Sequence, residues 1–546
     1  MGSAVMNRDS FLQQLGSETF DILVVGGGAT GAGVALDAAH RGLKVALVER
    51  DDFGAGTSSR STKLVHGGVR YLETAVRELD HSQYKLVKEA LHERSTLLKI
   101  APHLVRPIAL VTPLYRRLDA PYYLAGLKLY DWIAGRSGLE PSHYLSAAEA
   151  LARFPMLSPK GLRGGVVYYD GQFDDARMNV TLIVTACELG AVALNHAELV
   201  ELTREKGKIA GAVVRDGETG ARVAVRARIV VNATGPLVDS VRLMDDPKRA
   251  PVMTASSGVH IVLDGKFAPP ATGLLIPKTA DGRVLFLLPW MGHTLVGTTD
   301  NPAAPAFDPI ASDADVDFIL DQLRKVFAVT VRRQDILAAW SGLRPLVDAA
   351  AKHRHTAKIT REHHLEESPS GLLTIAGGKW TTYRRMAVDT VEHAIRQGHL
   401  EPARPGDTRL VPLAGAEEFS DTVGVRLEAA YGFDAEISAH LAGSYGSRAL
   451  RVAELARSGL GARLHPSHPV LEAEVVYGAR HELARTAIDV LARRTRIAFL
   501  DIRAAIRCVD RTVALLAQEL GWDAPRCRRE EDSARASLER EWHPGA

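Results

Sequence analysis

The stretch DILVVGGGATGAGVALDAAHRGLKVALVER, residues 21–50, decides the fold. Ile22 to Val25 is a short apolar run rich in β-branched residues, as in a strand covered on both faces. Gly26, Gly28 and Gly31 spell GxGxxG, with Gly27 inside the run and Gly33 two residues past its end. Ala32, Leu36 and Ala39 share one face of a following helix, and Lys44 to Val48 reads as a second strand ending on Glu49. An acidic residue about 20 positions after the glycines can accept a ribose hydroxyl. The glycines let the backbone approach a pyrophosphate, whose charge rests on the helix N-terminus. A glycine-rich turn in some other α/β protein has no need of strand, helix and acid together. A dinucleotide binds here.

Outward from this unit, 546 residues exceed one hydrophobic core, so two or three domains are expected. A net charge of +2 gives no reason to expect a nucleic-acid partner. Cys187, Cys508 and Cys527 form no CxxC pair, which argues against a disulfide framework or zinc site and fits a reducing cytoplasm. The stretch MGSAVMNRDSFLQQLGSETFD lacks the apolar core of a signal peptide, and no apolar run reaches membrane-spanning length, so any membrane contact is expected at the surface.

The next stretch, GAGTSSRSTK (54–63), is too polar for a third buried strand. It resembles the extended loop after the second strand in flavoproteins of the D-amino-acid oxidase superfamily, whose hydroxyls and amides contact FAD. ARIVVNATGP (227–236) resembles that superfamily's second fingerprint, a strand returning to an Ala-Thr-Gly turn. In TIAGGKWTTYR, Gly377 and Gly378 make another strand-to-helix turn, able to aim amides at flavin oxygens.

VVGGGATGAG, TSSRSTKLVHGGVRYLE, APHL, FDDARM, NATGP, LLPWMGHTLVGTTD, SGLRPL and GGKWTTYR follow in order. With EVVYGARHELARTAIDVLARRTRI near the C-terminus, the chain resembles the FAD-dependent (aerobic, respiratory) glycerol-3-phosphate dehydrogenase family. HGGxRYLE, GTTD and GGKxTTYR are its more specific marks. The His-rich, basic stretch after SGLRPL departs from the pattern.

The resemblance implies an α/β fold. A Rossmann-like FAD domain (18–110, 165–255, 355–405) interleaves with a mixed α+β substrate domain (111–164, 256–354). A proline-rich linker at 401–419 leads to a C-terminal helical domain (420–546). The implied reaction is oxidation of sn-glycerol 3-phosphate to dihydroxyacetone phosphate with reduction of FAD. Such a site must hold a phosphate dianion, remove a hydroxyl proton and stabilise charge on the flavin.

By the same resemblance, Arg70 holds phosphate and Tyr71 orients it. Arg344 and Arg361 are further substrate-site arginines, and Lys379 lies near flavin and substrate oxygen. His66 sits on the flavin side of its turn, and strand alternation points His260 into the site. One of these two histidines is the expected base, with a pKa at or above the ordinary imidazole value. FAD contacts are expected from Gly26, Gly27, Gly28, Ala29, Thr30, Gly31, Gly33, Glu49 and Arg50. Thr57, Ser58, Ser59, Thr62, Lys63, His66 and Leu199 extend them, as do Ala233, Thr234, Gly235, Gly377, Gly378, Lys379, Thr381 and Thr382. Structural ion pairs compete with these roles for the arginines, and a core position competes for His260. No metal site is expected.

Ubiquinone or menaquinone is the implied electron acceptor, with O2 the alternative. A non-catalytic flavin-binding scaffold would not need Arg70, Arg344 and Lys379 together. The expected setting is the cytoplasm, peripherally on the inner face of the cytoplasmic membrane, as a homodimer. Tyr122, Tyr123, Leu127, Tyr130 and Trp132, flanked by Arg116, Arg117, Lys128 and Arg136, are one candidate lipid contact. Arg493, Arg494 and Arg496 are another.

Overall fold

Residues 6–68, 72, 80–116, 119–279, 282–347 and 363–542 are described by a computed structural model. Arg70, Tyr71, Arg117 and Arg361 lie outside the described residues.

The apolar strand Thr19–Val25 pairs in parallel with Val45–Val48 on one side and Arg222–Asn232 on the other. Leu373–Gly377 and His363–Glu367 extend the sheet beyond Arg222–Asn232, and Val192–Leu194 closes the opposite edge. An antiparallel meander, Ala197–Glu205 and Lys208–Asp216, hangs from Arg222–Asn232. The helices Ala29–His40, Asp175–Glu188 and Tyr383–Gly398 bury one face, so these central strands read as unbroken apolar runs.

A second sheet runs beside the first. Met253–Asp264 pairs antiparallel with Ile336–Val347 and with His293–Gly297, and the order continues through Leu285–Trp290, Thr272–Ile276, Val105–Leu114, Gly164–Phe173 and Leu64–Val65. One face packs on the amphipathic helix Asp313–Val326 through Val316, Ile319, Leu320 and Leu323. The other meets C-terminal helices, where Trp340 packs on Phe499 and Phe499 on Trp542. Two boundaries expected from the sequence, at 110 and 165, fall inside strands of this second sheet. Local pattern shows that a segment is a strand but not which sheet takes it.

The 401–419 connection is pinned along its length. Leu413 N–H donates to the Ile100 carbonyl at 2.9 Å and Ala414 N–H to Thr185 Oγ1 at 2.9 Å. Beyond it the chain is helical, from Thr422–Tyr431 to Ile502–Leu520 and Ala524–Glu541.

Among the described residues no helix is long and apolar enough to cross a membrane. The helix Asp119–Ala134 corrects half of the lipid-contact expectation: Leu127 and Tyr130 are buried, and the Tyr130 hydroxyl bonds Asp170 and accepts from Gly67 N–H. Only its outer side, with Tyr122 and Trp132, is exposed. The second expectation is overturned, since Arg493, Arg494 and Arg496 are all buried in ion pairs.

Candidate functional site

A cavity of about 550 Å³ opens between the sheets. Its floor is the turn that ends Thr19–Val25. Gly26 has φ +109°, and a Cβ there would meet the Ala233 carbonyl oxygen at 2.6 Å. A Cβ on Gly31 would sit 1.8 Å from the Gly26 carbonyl oxygen, so only glycine lets the helix start this close to the strand. At Gly33 the obstacle would be the Tyr383 ring, 2.8 Å away, so this glycine serves helix–helix packing rather than the cavity. Gly28 caps the helix Ala29–His40 without a side-chain hydrogen bond, leaving its N-terminal end to face the cavity. Glu49 ends the second strand, where its Oε2 accepts from Gly27 N–H at 2.6 Å and Oε1 from Asp51 N–H at 2.9 Å. Burial raises its pKa. A carboxylate has about four lone-pair sites, so acceptor capacity remains for ribose hydroxyls.

The loop after Glu49 forms one wall with Thr57, Ser58 and Thr62. Ser58 Oγ accepts from Ala29 N–H, and the Ser58 carbonyl accepts from the Trp380 indole N–H, both at 2.8 Å. Ala233, Thr234 and Gly235 line the cavity, as do Gly377, Gly378, Lys379, Thr381, Leu199 and Arg50. Thr381 Oγ1 also accepts from His66 N–H at 3.2 Å, tying the two quoted motifs together. Gly27 contributes through its amide and carbonyl, the latter accepting from Asn179 Nδ2 at 2.8 Å.

Gly27, Gly31 and Gly33 stand behind the cavity lining, and three more expected cofactor contacts point elsewhere. Lys63, at φ +62°, turns away from the cavity and buries its ammonium against Asp175 at 2.7 and 2.9 Å and the Ser59 carbonyl at 2.9 Å. Burial pulls its pKa down to about 7, against the attraction of Asp175. The Ser59 carbonyl is engaged there, and Thr382 starts the next helix without lining the cavity.

His66, His260 and Arg344 also line the cavity. His260 stacks on Trp340 with ring centroids 4.2 Å apart, and its Nε2 lies 3.0 Å from Thr62 Oγ1. Burial first, then the cations Lys63 and Arg344, push its pKa well below the ordinary imidazole value. This is opposite in direction to the sequence expectation, because strand alternation shows which way the ring points and not how dry its surroundings are.

The Arg344 guanidinium, half-buried, donates to Asp300 Oδ1 at 3.2 Å, Thr298 Oγ1 at 3.1 Å and the Thr299 carbonyl at 3.0 Å. The GTTD turn therefore holds this arginine. It fits because Gly258, on the neighbouring strand, has no side chain: a Cβ would meet Thr298 Oγ1 at 2.5 Å and an Arg344 terminal nitrogen at 2.6 Å. Sequence reasoning missed Gly258, Arg60, Phe286, Phe307 and Trp380 in the lining. Arg60 and Trp380 stand inside the motifs TSSRSTK and GGKWTTYR, whereas Phe307, stacked by Arg50, sits in a loop without pattern.

A family model described as FAD dependent oxidoreductase matches residues 21–384, and one described as the C-terminal domain of alpha-glycerophosphate oxidase matches 407–527. The chain is 49% identical over 533 residues to the mitochondrial glycerol-3-phosphate dehydrogenase of Homo sapiens, covering 95% of this chain and 73% of that protein. A probable mitochondrial glycerol-3-phosphate dehydrogenase of Caenorhabditis elegans is 48% identical over 550 residues, covering 99% of this chain and 76% of the relative.

This chain belongs to the FAD-dependent glycerol-3-phosphate dehydrogenase family.

The X-ray structure of the family's Bacillus halodurans glycerol-3-phosphate dehydrogenase, complexed with FAD, matches with a TM-score of 0.80 and 30% identity, covering 98% of this chain and 97% of that one. The glycine approach, the helix N-terminus and the held Glu49 carboxylate fit such a dinucleotide.

Proposed function

We propose that this chain oxidises sn-glycerol 3-phosphate at C2 to dihydroxyacetone phosphate, using FAD held in the cavity and passing the electrons to a membrane quinone. The observation that carries the reading is Arg344: a half-buried guanidinium on the cavity wall, fixed by three acceptors from the GTTD turn. A permanently charged guanidinium held in place on the wall suits a phosphate dianion. FAD, when bound, supplies the acceptor for the hydride from C2.

The chain's own residues do the rest. Arg344 anchors the phosphate, and Lys379, in the wall at the start of the Trp380–Thr382 turn, places a cation beside the cofactor space. His260 is kept neutral by burial and by its neighbouring cations; its Nδ1 is buried, so the C2 hydroxyl proton reaches Nε2 through Thr62 Oγ1, which lines the cavity 3.0 Å from that nitrogen. His66 is the other candidate base, and Arg70, Tyr71 and Arg361 complete the proposed substrate contacts.

The outer side of Asp119–Ala134 supports a membrane-facing reading. Trp132 is 73% exposed and Tyr122 45%, beside exposed Lys128 and Arg116. Amphipathic rings flanked by cations suit a lipid interface. We assign the protein to the inner face of the cytoplasmic membrane as a homodimer, which sedimentation equilibrium tests.

One specific observation favours a second reading. The C-terminal family model is described from an oxidase, so O2 is the alternative acceptor. Steady-state turnover with a short-chain quinone and with air separates the two. Faster turnover with quinone, glycerol 3-phosphate preferred strongly over glycerol, and salt-sensitive sedimentation with anionic liposomes support the proposal. Stoichiometric peroxide without liposome binding turns the reading to the oxidase, and indifference to the phosphate ends both.

A further inference from the structure

No residue beyond Thr381 lines the cavity among the described residues, yet much of what fixes its polar wall comes from the C-terminal helices. The loop between Arg50 and Lys63 is gripped at three points. Buried Asp52 is held by Arg494 at 2.7 and 3.0 Å and by Arg493 Nε at 2.5 Å. Asp52, His196 and Asp489 bring ligand atoms within 4.8 Å of one another, but the same two arginines occupy their carboxylates, so the cluster reads as an ion network. Arg496 donates to the Ser59 carbonyl at 2.9 Å and to Asp175 at 3.1 Å, joining the acceptors that hold Lys63. Glu541, at the end of the last helix, pairs with Arg60, which itself lines the cavity and donates to the Ser341 carbonyl at 3.2 Å.

A domain that only packed would not be built this way. Burying guanidinium groups costs desolvation, and apolar residues of similar volume usually stabilise a packed interface as well or better. Arg496 also sits in the left-handed region at φ +67°, unusual for a long side chain, with its guanidinium 4.1 Å from the Phe499 ring centroid. The buried charges converge on one short loop, and that loop touches the cofactor space.

We infer that Arg496 and Glu541 are positioning residues for the flavin pocket: the C-terminal domain clamps residues 57–63, Arg496 through the Ser59 carbonyl and Glu541 through Arg60, so that cofactor retention depends on a domain outside the cavity. The inference rests on the reading that the cavity holds FAD. Neither residue touches the cofactor space; each acts through the loop.

The test uses full-length holoenzyme in four forms: wild type, Arg496→Lys, Arg496→Met and Glu541→Gln. FAD release is followed by the gain in free-flavin fluorescence after dilution, and backbone hydrogen exchange is followed by peptide. Loss of one charge-assisted hydrogen bond predicts FAD release faster by about tenfold in Arg496→Met and Glu541→Gln. Arg496→Lys falls between, and exchange rises in 51–63 while the rest of the chain keeps wild-type protection. Wild-type release and exchange in Glu541→Gln and in a folded Arg496→Met overturn the clamp. So does exchange that rises throughout the chain, the mark of a merely structural role. If Arg496→Met does not fold, Glu541→Gln decides. The exchange of 51–63 reads the clamp with or without flavin, so its failure is distinguishable from failure of the flavin reading.

Discussion

Gly258→Ala tests the substrate wall without removing any charge. The new Cβ would stand 2.5 Å from Thr298 Oγ1 and 2.6 and 2.8 Å from the two terminal nitrogens of Arg344, where ordinary contact begins at 3.4 Å. The guanidinium has to retreat by about 0.8 Å, the gap between 3.4 and 2.6 Å, and its bonds to Asp300 and the Thr299 carbonyl, already 3.2 and 3.0 Å, give way. Misplacing a binding group by about 1 Å costs on the order of 100-fold, or roughly 2.7 kcal/mol of transition-state stabilisation. The assay is kcat/KM for glycerol 3-phosphate, with flavin content read from the visible spectrum and glycerol as the control substrate. The loss should appear with the phosphorylated substrate and spare glycerol. A fully flavinated variant with kcat/KM unchanged for glycerol 3-phosphate refutes the placement of phosphate on Arg344.

Gly31→Ala should purify without flavin, because its Cβ would stand 1.8 Å from a backbone oxygen, whereas Gly33→Ala meets side chains, the Tyr383 ring at 2.8 Å and Ala387 at 3.2 Å, and should retain part of it; the ratio of visible to ultraviolet absorbance reads both. The acid limb of kcat/KM should lie below pH 6.5, the ordinary imidazole pKa, since burial lowers that of His260, and His260→Asn should remove the limb; a wild-type profile in the variant would pass the role to His66. His196, paired to Asp489 at 2.8 Å, has its pKa raised from 6.5 to about 9 by that carboxylate despite burial. Its contribution of about 3 kcal/mol is fully present below pH 6.5 and lost as pH rises through 9, so His196→Asn should flatten the fall of urea stability across that window. No Cys or His stands at a flavin-attachment position in the matched motifs, so acid precipitation should release the yellow colour into the supernatant; colour in the pellet would show a covalent link.

What was legible in the sequence is what local backbone geometry dictates. Gly26 and Gly31 announce a turn that no other residue can make, and alternation along Met253–Asp264 aims His260 toward the cavity. What was illegible depends on distant partners. Lys63 looks like one more polar member of the loop, and only Asp175, 112 residues away, reveals why it turns inward. Arg493, Arg494 and Arg496 look like a solvated basic run until Asp52 and Asp175 meet them from 441, 442 and 321 residues away. Tyr130 and Trp132 share one apolar segment, and only the packing of Asp119–Ala134 on the second sheet shows that the first is core and the second exposed.

The most direct test of the central claim is anaerobic titration of the purified protein with sn-glycerol 3-phosphate, following the visible flavin absorbance and the product together. Bleaching to the two-electron-reduced spectrum, with one dihydroxyacetone phosphate formed per flavin and no bleaching by glycerol or D-amino acids at the same concentration, is the predicted result. A flavin that stays oxidised in excess glycerol 3-phosphate, or that bleaches equally well with glycerol, contradicts it.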